Sequence, residues 1–255
     1  MMRLLATLFC CLVGFGMTLV FLFFSGQIPQ SYLDRAIDHL PAELVSWDGT
    51  GFGAGVGDVS ISEVNWPPRV GETYPDLTLT DQFGEAVRLR DFAGKVILVE
   101  LAAVPCQGCQ AFAGANEHGG FGGFRPQSGL ESIHRYAKTY GDVDLRGDPD
   151  VVFVQLLLYG RKMQSPTAEE VGAWASHFRM NGSPTQGGRP NQFVLRGTPA
   201  LLTGNVHNRI PGFQLIDRDF VLRSESSGAH PETDLYRQLL PELGRLSRDG
   251  RADAR

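Results

Sequence analysis

A chain of 255 residues, 42% of them hydrophobic, with a formal charge of -5, suits one globular domain with attachments. The mild acidity is spread along the chain, and no basic block is present to neutralise phosphates, which excludes nucleic acid as a partner on charge grounds.

The first predicted element is a membrane span. "LLATLFCCLVGFGMTLVFLFF", Leu4 to Phe24, carries no charge and matches the roughly 20 residues a helix needs to cross a bilayer. A cleaved signal peptide has a shorter apolar core and a small-residue exit, whereas this run ends in bulky "FLFF". Residues 1–25 therefore read as an uncleaved signal anchor. Arg3 precedes the span and a mixed-charge "LDRAIDH" follows it, which suggests the N-terminus inside and the domain outside the cytoplasm, on the periplasmic side in a bacterium. Residues 26–59 follow as a helical stalk and a glycine-rich linker, "DGTGFGAGVGD".

From about Ser60 to residue 247 short strands, turns and helices alternate, and 248–255 read as a polar, frayed tail. "PDLTLTD" and "AVRLRDF" alternate about the turn "QFGE", and "KVILVELAA" is apolar almost throughout, as in a strand buried on both faces. The glycine-rich "NEHGGFGGFRPQSG" interrupts the helical pattern as an insertion, either a floppy surface loop or a flap offering Phe121, Phe124 and Arg125 to a partner. "GLESIHRYAKTY" is helical, "DVVFVQLLLYG" is a second buried strand, and "SPTAEEVGAWASHF" opens a helix with a proline in its first turn and a Thr167–Glu170 capping box. "NQFVLRG" reads as an edge strand and "GFQLIDRDFVLRS" as a hairpin. A last helix has Leu235, Leu239, Leu243 and Leu246 on one face and a kink at Pro241. This order predicts an α/β fold in which helices flank a mixed central sheet.

Cys10 and Cys11 fall in the predicted span, so Cys106 and Cys109 alone remain for the domain. A lone C-x-x-C pair in an oxidising compartment is a redox couple or part of a metal site. The pair follows a buried strand and opens a helix, where unpaired N–H groups and the helix dipole stabilise a thiolate. Cys106 should be the more exposed, and Cys109, a turn further in, the later to attack.

"GETYPDLTLTDQFGEAVRLRDFAGKVILVELAAVPCQGC" resembles the start of the thioredoxin-like domains of membrane-anchored thiol-disulfide oxidoreductases, including those of cytochrome c maturation. Their pattern is a Gly-x-x-x-Pro opening, an L-x-D-x-x-G hairpin, Gly-Lys before the central strand and C-x-x-C at its end. The likeness spans most of Gly71 to Cys109 and returns near residues 211–222. It implies a thioredoxin-like fold, an enzyme that exchanges disulfides with thiol-bearing protein substrates, and no cofactor and no metal. It also implies roles for two further residues. Glu100, six positions before Cys106, stands where thioredoxins carry a buried acid, and would take the proton of Cys109; the alternative is an acid on the solvated edge of the sheet or one held by Lys95. A cis-proline opposite the cysteines falls on Pro211, six positions before Asp217, in preference to Pro199. The chain departs from the family in Pro105 before the first cysteine, in Gln107-Gly108 between the pair, and in Phe220 at the hairpin glycine. Those departures leave the direction of the reaction open.

Three other readings compete. The threonine motif of peroxiredoxin-type peroxidases is missing. A copper carrier of the Sco type uses C-x-x-x-C and a histidine, for which His118 or His207 would have to serve. A redox-inert module on a membrane stalk would need no matched cysteine pair.

Overall fold

In a computed structural model, the chain divides into two units, Met1–Val56 and Gly57–Arg255. The structure describes residues 66–181, 190–201, 210–232 and 234–252, all in the second unit. The predicted span, the stalk, the linker and His207 lie outside them. No helix among the described residues is long and apolar enough to cross a membrane.

Two short antiparallel strands come first, β1 (Thr78–Thr80) and β2 (Ala86–Arg88). Their turn is held by Asp81, whose Oδ1 accepts the N–H groups of Phe83 and Glu85 at 2.8 and 2.9 Å. The alternation after Arg88 does not continue as strand, because Leu89–Phe92 coil into a 3-10 turn that buries Leu89 and Phe92. The main sheet has five strands in the order β5-β4-β3-β6-β7. Its central strand, β3 (Val96–Ala103), runs parallel to β4 (Val151–Tyr159), which runs parallel to the edge strand β5 (Gln192–Arg196). On the other side β6 (Gly212–Ile216) is antiparallel to β3, and β7 (Leu222–Ser227) completes a hairpin with β6.

Every residue of β3 is buried, as a strand covered on both faces requires. Alternate side chains enter two cores. Val96, Leu98 and Ala102 join Cys106, Cys109, Phe112 and Trp174 on one face, and Ile97, Val99 and Leu101 join Tyr74, Leu89 and Phe220 on the other.

After β3 come α1 (Gln107–Ala113), the single turn α2 (Ala115–His118) and α3 (Ile133–Tyr136), which runs on into a π-helical turn, Ala137–Gly141. Between β4 and β5 lies α4 (Ala168–His177), and its predicted capping box is present. Thr167 Oγ1 accepts the Glu170 N–H at 3.1 Å, and Glu170 Oε2 accepts the Thr167 N–H at 3.1 Å. Pro166 sits just before that cap rather than inside the first turn.

The closing helix α5 (Leu240–Ala252) follows a π turn, Leu235–Leu239. Pro241 stands at its second residue, where a missing N–H falls beside a register change instead of inside a regular ladder. Helix therefore extends through most of the segment expected to fray. It packs closely on the π-helical turn that follows α3, since a Cβ placed on Gly244 would lie 2.0 Å from the carbonyl oxygen of Gly141.

A strand-helix-strand unit, a hairpin and a final helix on this mixed sheet make the fold thioredoxin-like, as expected. The hairpin turn shows why a glycine was expected at residue 220. Phe220 is left-handed, with φ of 63°, a conformation costly for a residue with a side chain. Its ring is fully buried edge-on to Tyr74 at 6.0 Å, with the Arg90 guanidinium 4.8 Å above its centroid. Burial of a large aromatic outweighs a penalty of about 1–3 kcal/mol.

Candidate functional site

The end of β3 turns through Val104 and Pro105 and delivers Cys106 as the N-cap of α1, with extended backbone at φ -76°, ψ 118°. Its sulfur accepts the Cys109 N–H at 3.2 Å. Both cysteines are free thiols; Cys106 is 8% exposed and Cys109 not at all. The Cys109 thiol hydrogen-bonds the Cys106 sulfur, and this bond, with the backbone N–H groups of Cys109 and Gly108, outweighs burial and lowers the Cys106 pKa. Cys109 is shifted the other way. Burial raises its pKa most, then its bond to Cys106, and then the charges of Cys106 and Glu100. One cysteine is thus prepared as the thiolate, and the other keeps its proton.

Glu100 lies in the middle of the central strand, which excludes the sheet-edge alternative. It is fully buried, and its partner is Gln155 rather than Lys95. The parallel register sets Glu100 against Gln155, and Gln155 Nε2 donates to Glu100 Oε2 at 2.9 Å. Glu100 Oε1 has no hydrogen-bond partner among the described residues. Burial pushes the carboxyl pKa up to about 8, the bond from Gln155 works against that rise, and the Cys106 charge adds to it.

The Ile210–Pro211 bond is cis, as is Trp66–Pro67, whereas Pro199 opens a short 3-10 turn. Pro211 lies against the first turn of α1. A Cβ on Gly108 would stand 3.1 Å from Pro211 Cδ, so the glycine between the cysteines leaves room for the proline ring. The Pro211 carbonyl accepts the Gly228 N–H at 2.8 Å. The structure therefore gathers Cys106, Cys109 and Pro211 beyond the end of β3, with Glu100 inside that strand and near enough for its charge to act on Cys109.

Two groups were missed in the sequence. Gln110, buried in α1, donates through Nε2 to the Val104 and Phe121 carbonyls at 2.7 and 3.1 Å and accepts the Phe121 N–H at 2.8 Å. With the Gln127 N–H on the Gln107 carbonyl at 2.9 Å and His177 Nε2 bonded to the Gly119 carbonyl at 2.8 Å, it fastens the glycine-rich insertion to the rim of the site. The insertion is thus no floppy loop. Phe121 does not face outward but packs on Trp174 and His177, at 5.5 and 5.6 Å. The second missed group is Gln155 with Trp174, whose indole Nε1–H donates to Gln155 Oε1 at 2.5 Å.

His118 ends α2 and lies near Gly114. No group of three or more His, Cys, Asp or Glu that could hold a metal occurs among the described residues.

No family model matches the chain, and no curated protein is similar to it in sequence. Solved structures do resemble it. A candidate protein disulfide isomerase from Bacteroides thetaiotaomicron is 17% identical, with 73% of this chain and 95% of that one covered at a TM-score of 0.44. A SCO1/SenC family lipoprotein from Bacillus anthracis is also 17% identical, covering 72% and 98% at 0.43. A candidate thiol:disulfide interchange protein DsbE from Chlorobium tepidum is 19% identical, covering 70% and 100% at 0.41. At such values the assignment of the fold rests on strand order and connectivity rather than on these neighbours.

Proposed function

We propose that this domain is a thiol-disulfide oxidoreductase that exchanges disulfides with protein substrates through Cys106 and Cys109. The observation that carries the reading is the opposite treatment of two hydrogen-bonded thiols at one helix start: the outer one's pKa is lowered and the inner one's raised, with an unsatisfied carboxyl oxygen in the strand beneath.

In the reducing direction, the Cys106 thiolate attacks a substrate disulfide, one substrate sulfur leaves, and a mixed disulfide forms on Cys106. Cys109 gives its proton to Glu100 and attacks the Cys106 sulfur. The second substrate thiolate leaves, and the domain is left with a Cys106–Cys109 disulfide. Two electrons pass from the domain to the substrate, and the same steps in reverse oxidise a substrate dithiol. Pro211, over Gly108, bounds the place where the substrate sulfur would lie. We further propose that Leu4–Phe24 tethers the domain to the outer face of a membrane, on the strength of its length and lack of charge.

The test is the reduction potential of the purified full chain, measured with and without Cu(I). A two-electron couple lost on substitution of either cysteine, and little changed by Cu(I), is the expected result. Tight Cu(I) binding that weakens in His118→Ala or His207→Ala would instead make the protein a copper carrier.

A further inference from the structure

The buried polar chain beneath the cysteines has a direction. An indole N–H can only donate, so the Trp174 end requires an acceptor, and the Gln155 amide meets it with Oε1 at 2.5 Å. A planar amide that gives its oxygen to one neighbour presents its NH2 to the other. That neighbour is Glu100, whose Oε2 accepts from Nε2 at 2.9 Å. All three side chains are fully buried, so no solvent competes for these bonds. An oxygen that accepts from this amide cannot also direct a proton back at it. The other oxygen, Oε1, has no partner among the described residues.

We propose that Trp174, acting through Gln155, fixes which oxygen of Glu100 carries the transferable proton: Oε2 is held as a permanent acceptor, and Oε1 gives and takes the proton exchanged with Cys109. Trp174 and Gln155 are positioning residues; neither touches the reacting sulfurs. The inference rests on the reading of Glu100 as the proton acceptor, but the polarity of the chain can be tested apart from it.

The experiment follows the Glu100 carboxyl by carbon NMR in the isotopically labelled full chain, with the resonance assigned by its absence in Glu100→Gln. The groups that titrate against Glu100 are Cys106, the N-cap of α1, and Cys109 within it, while Gln155 of β4, Trp174 of α4 and Phe213 of β6 are neutral. The titration is therefore run on the disulfide form, in which neither thiol is present. Trp174→Phe keeps an aromatic ring and removes the one donor, among the described residues, that orients the amide. Gln155 can then turn its oxygen toward Glu100 and favour the protonated acid, and the midpoint should rise by about one pH unit. Gln155→Leu removes the donor itself and should raise it similarly. Phe121→Leu disturbs the same Trp174 ring without touching the bond and should leave the midpoint in place.

Unmoved midpoints in folded Trp174→Phe and Gln155→Leu would overturn the proposal, and a shift in Gln155→Leu alone would overturn the part assigned to Trp174. If Trp174→Phe does not fold, the wild type still decides. Its Trp174 indole N–H resonance should follow the Glu100 midpoint and cease to do so in Gln155→Leu; an indole resonance indifferent to Glu100 would contradict the chain. If the midpoints move as expected while the pH profile of mixed-disulfide resolution does not, the polarity stands and the catalytic role of Glu100 fails.

Discussion

Glu100→Gln should slow resolution of the mixed disulfide by about 10²-fold at neutral pH while leaving the first attack by Cys106 nearly unchanged, the low end of what a positioned acid or base contributes. Cys106 owes its lowered pKa to Cys109 and to backbone N–H groups, none of which the substitution removes. Cys109 is fully buried and must lose a proton inside the fold. The Cys106 charge adds to the rise of the Glu100 pKa in the reduced protein. That charge is gone once Cys106 enters the mixed disulfide, so Glu100 ionises more readily at the step that needs it. The wild-type resolution rate should climb with pH to a plateau as Glu100 ionises, and the variant should lack that climb.

The same substitution should stabilise the reduced protein. Glu100 has a pKa of about 8 when folded, above its unfolded value of 4.5. Its contribution is fully favourable below pH 4.5 and is lost as pH rises through about 8, because the unfolded chain gains from an ionisation that the fold resists. At pH 7 that linkage is worth about 3 kcal/mol, and Glu100→Gln escapes it. Urea unfolding at pH 4, 7 and 9 should show the variant gaining on the wild type as pH rises; parallel curves would contradict the linkage.

A second large effect should appear at the acid end. His134 is partly buried, with Nε2 2.9 Å from Gln192 Oε1, Phe153 edge-on at 5.6 Å, and Nδ1 buried without a partner among the described residues. Burial, and after it the Arg146 charge, lower its pKa to about 4, against smaller opposing effects of Gln192, Glu117 and Asp144. A histidine depressed in the fold contributes stability that is complete above its unfolded pKa of about 6.5 and lost as pH falls toward 4. The loss is at most about 3 kcal/mol. His134→Gln keeps an amide N–H for Gln192 and should flatten the fall in urea midpoint between pH 6.5 and 4. An equal fall in the variant would place the acid sensitivity elsewhere.

Much of this was legible in the sequence because it is local. The apolar run of β3, the helix opening at Cys106, the Thr167–Glu170 box and the β6-β7 hairpin each depend on neighbours a few residues away. Gln155 and Trp174 were not read, because the pairing of Gln155 with Glu100 is set by the register of two strands 55 residues apart in sequence, and Trp174 reaches Gln155 from a helix packed on that sheet. A signal was nevertheless present. "VILVELAA" and "VVFVQLLLY" each hold one polar residue in an otherwise apolar strand, and two such residues in adjacent buried strands can satisfy one another. The sequence left the insertion open between a loose loop and a flap for a similar reason. Its glycines suggest freedom, but Gln110, within α1, supplies bonds that a loop alone cannot make.

The most direct test of the dithiol mechanism is a single turnover of the reduced full chain with a peptide disulfide, acid-quenched at intervals and mapped by mass spectrometry. The expected sequence is a transient peptide adduct on Cys106, then a Cys106–Cys109 disulfide with release of both peptide thiols, and in Cys109→Ser an adduct on Cys106 that persists. An adduct that forms first on Cys109, or a pair that stays reduced while the peptide disulfide is untouched, would contradict it.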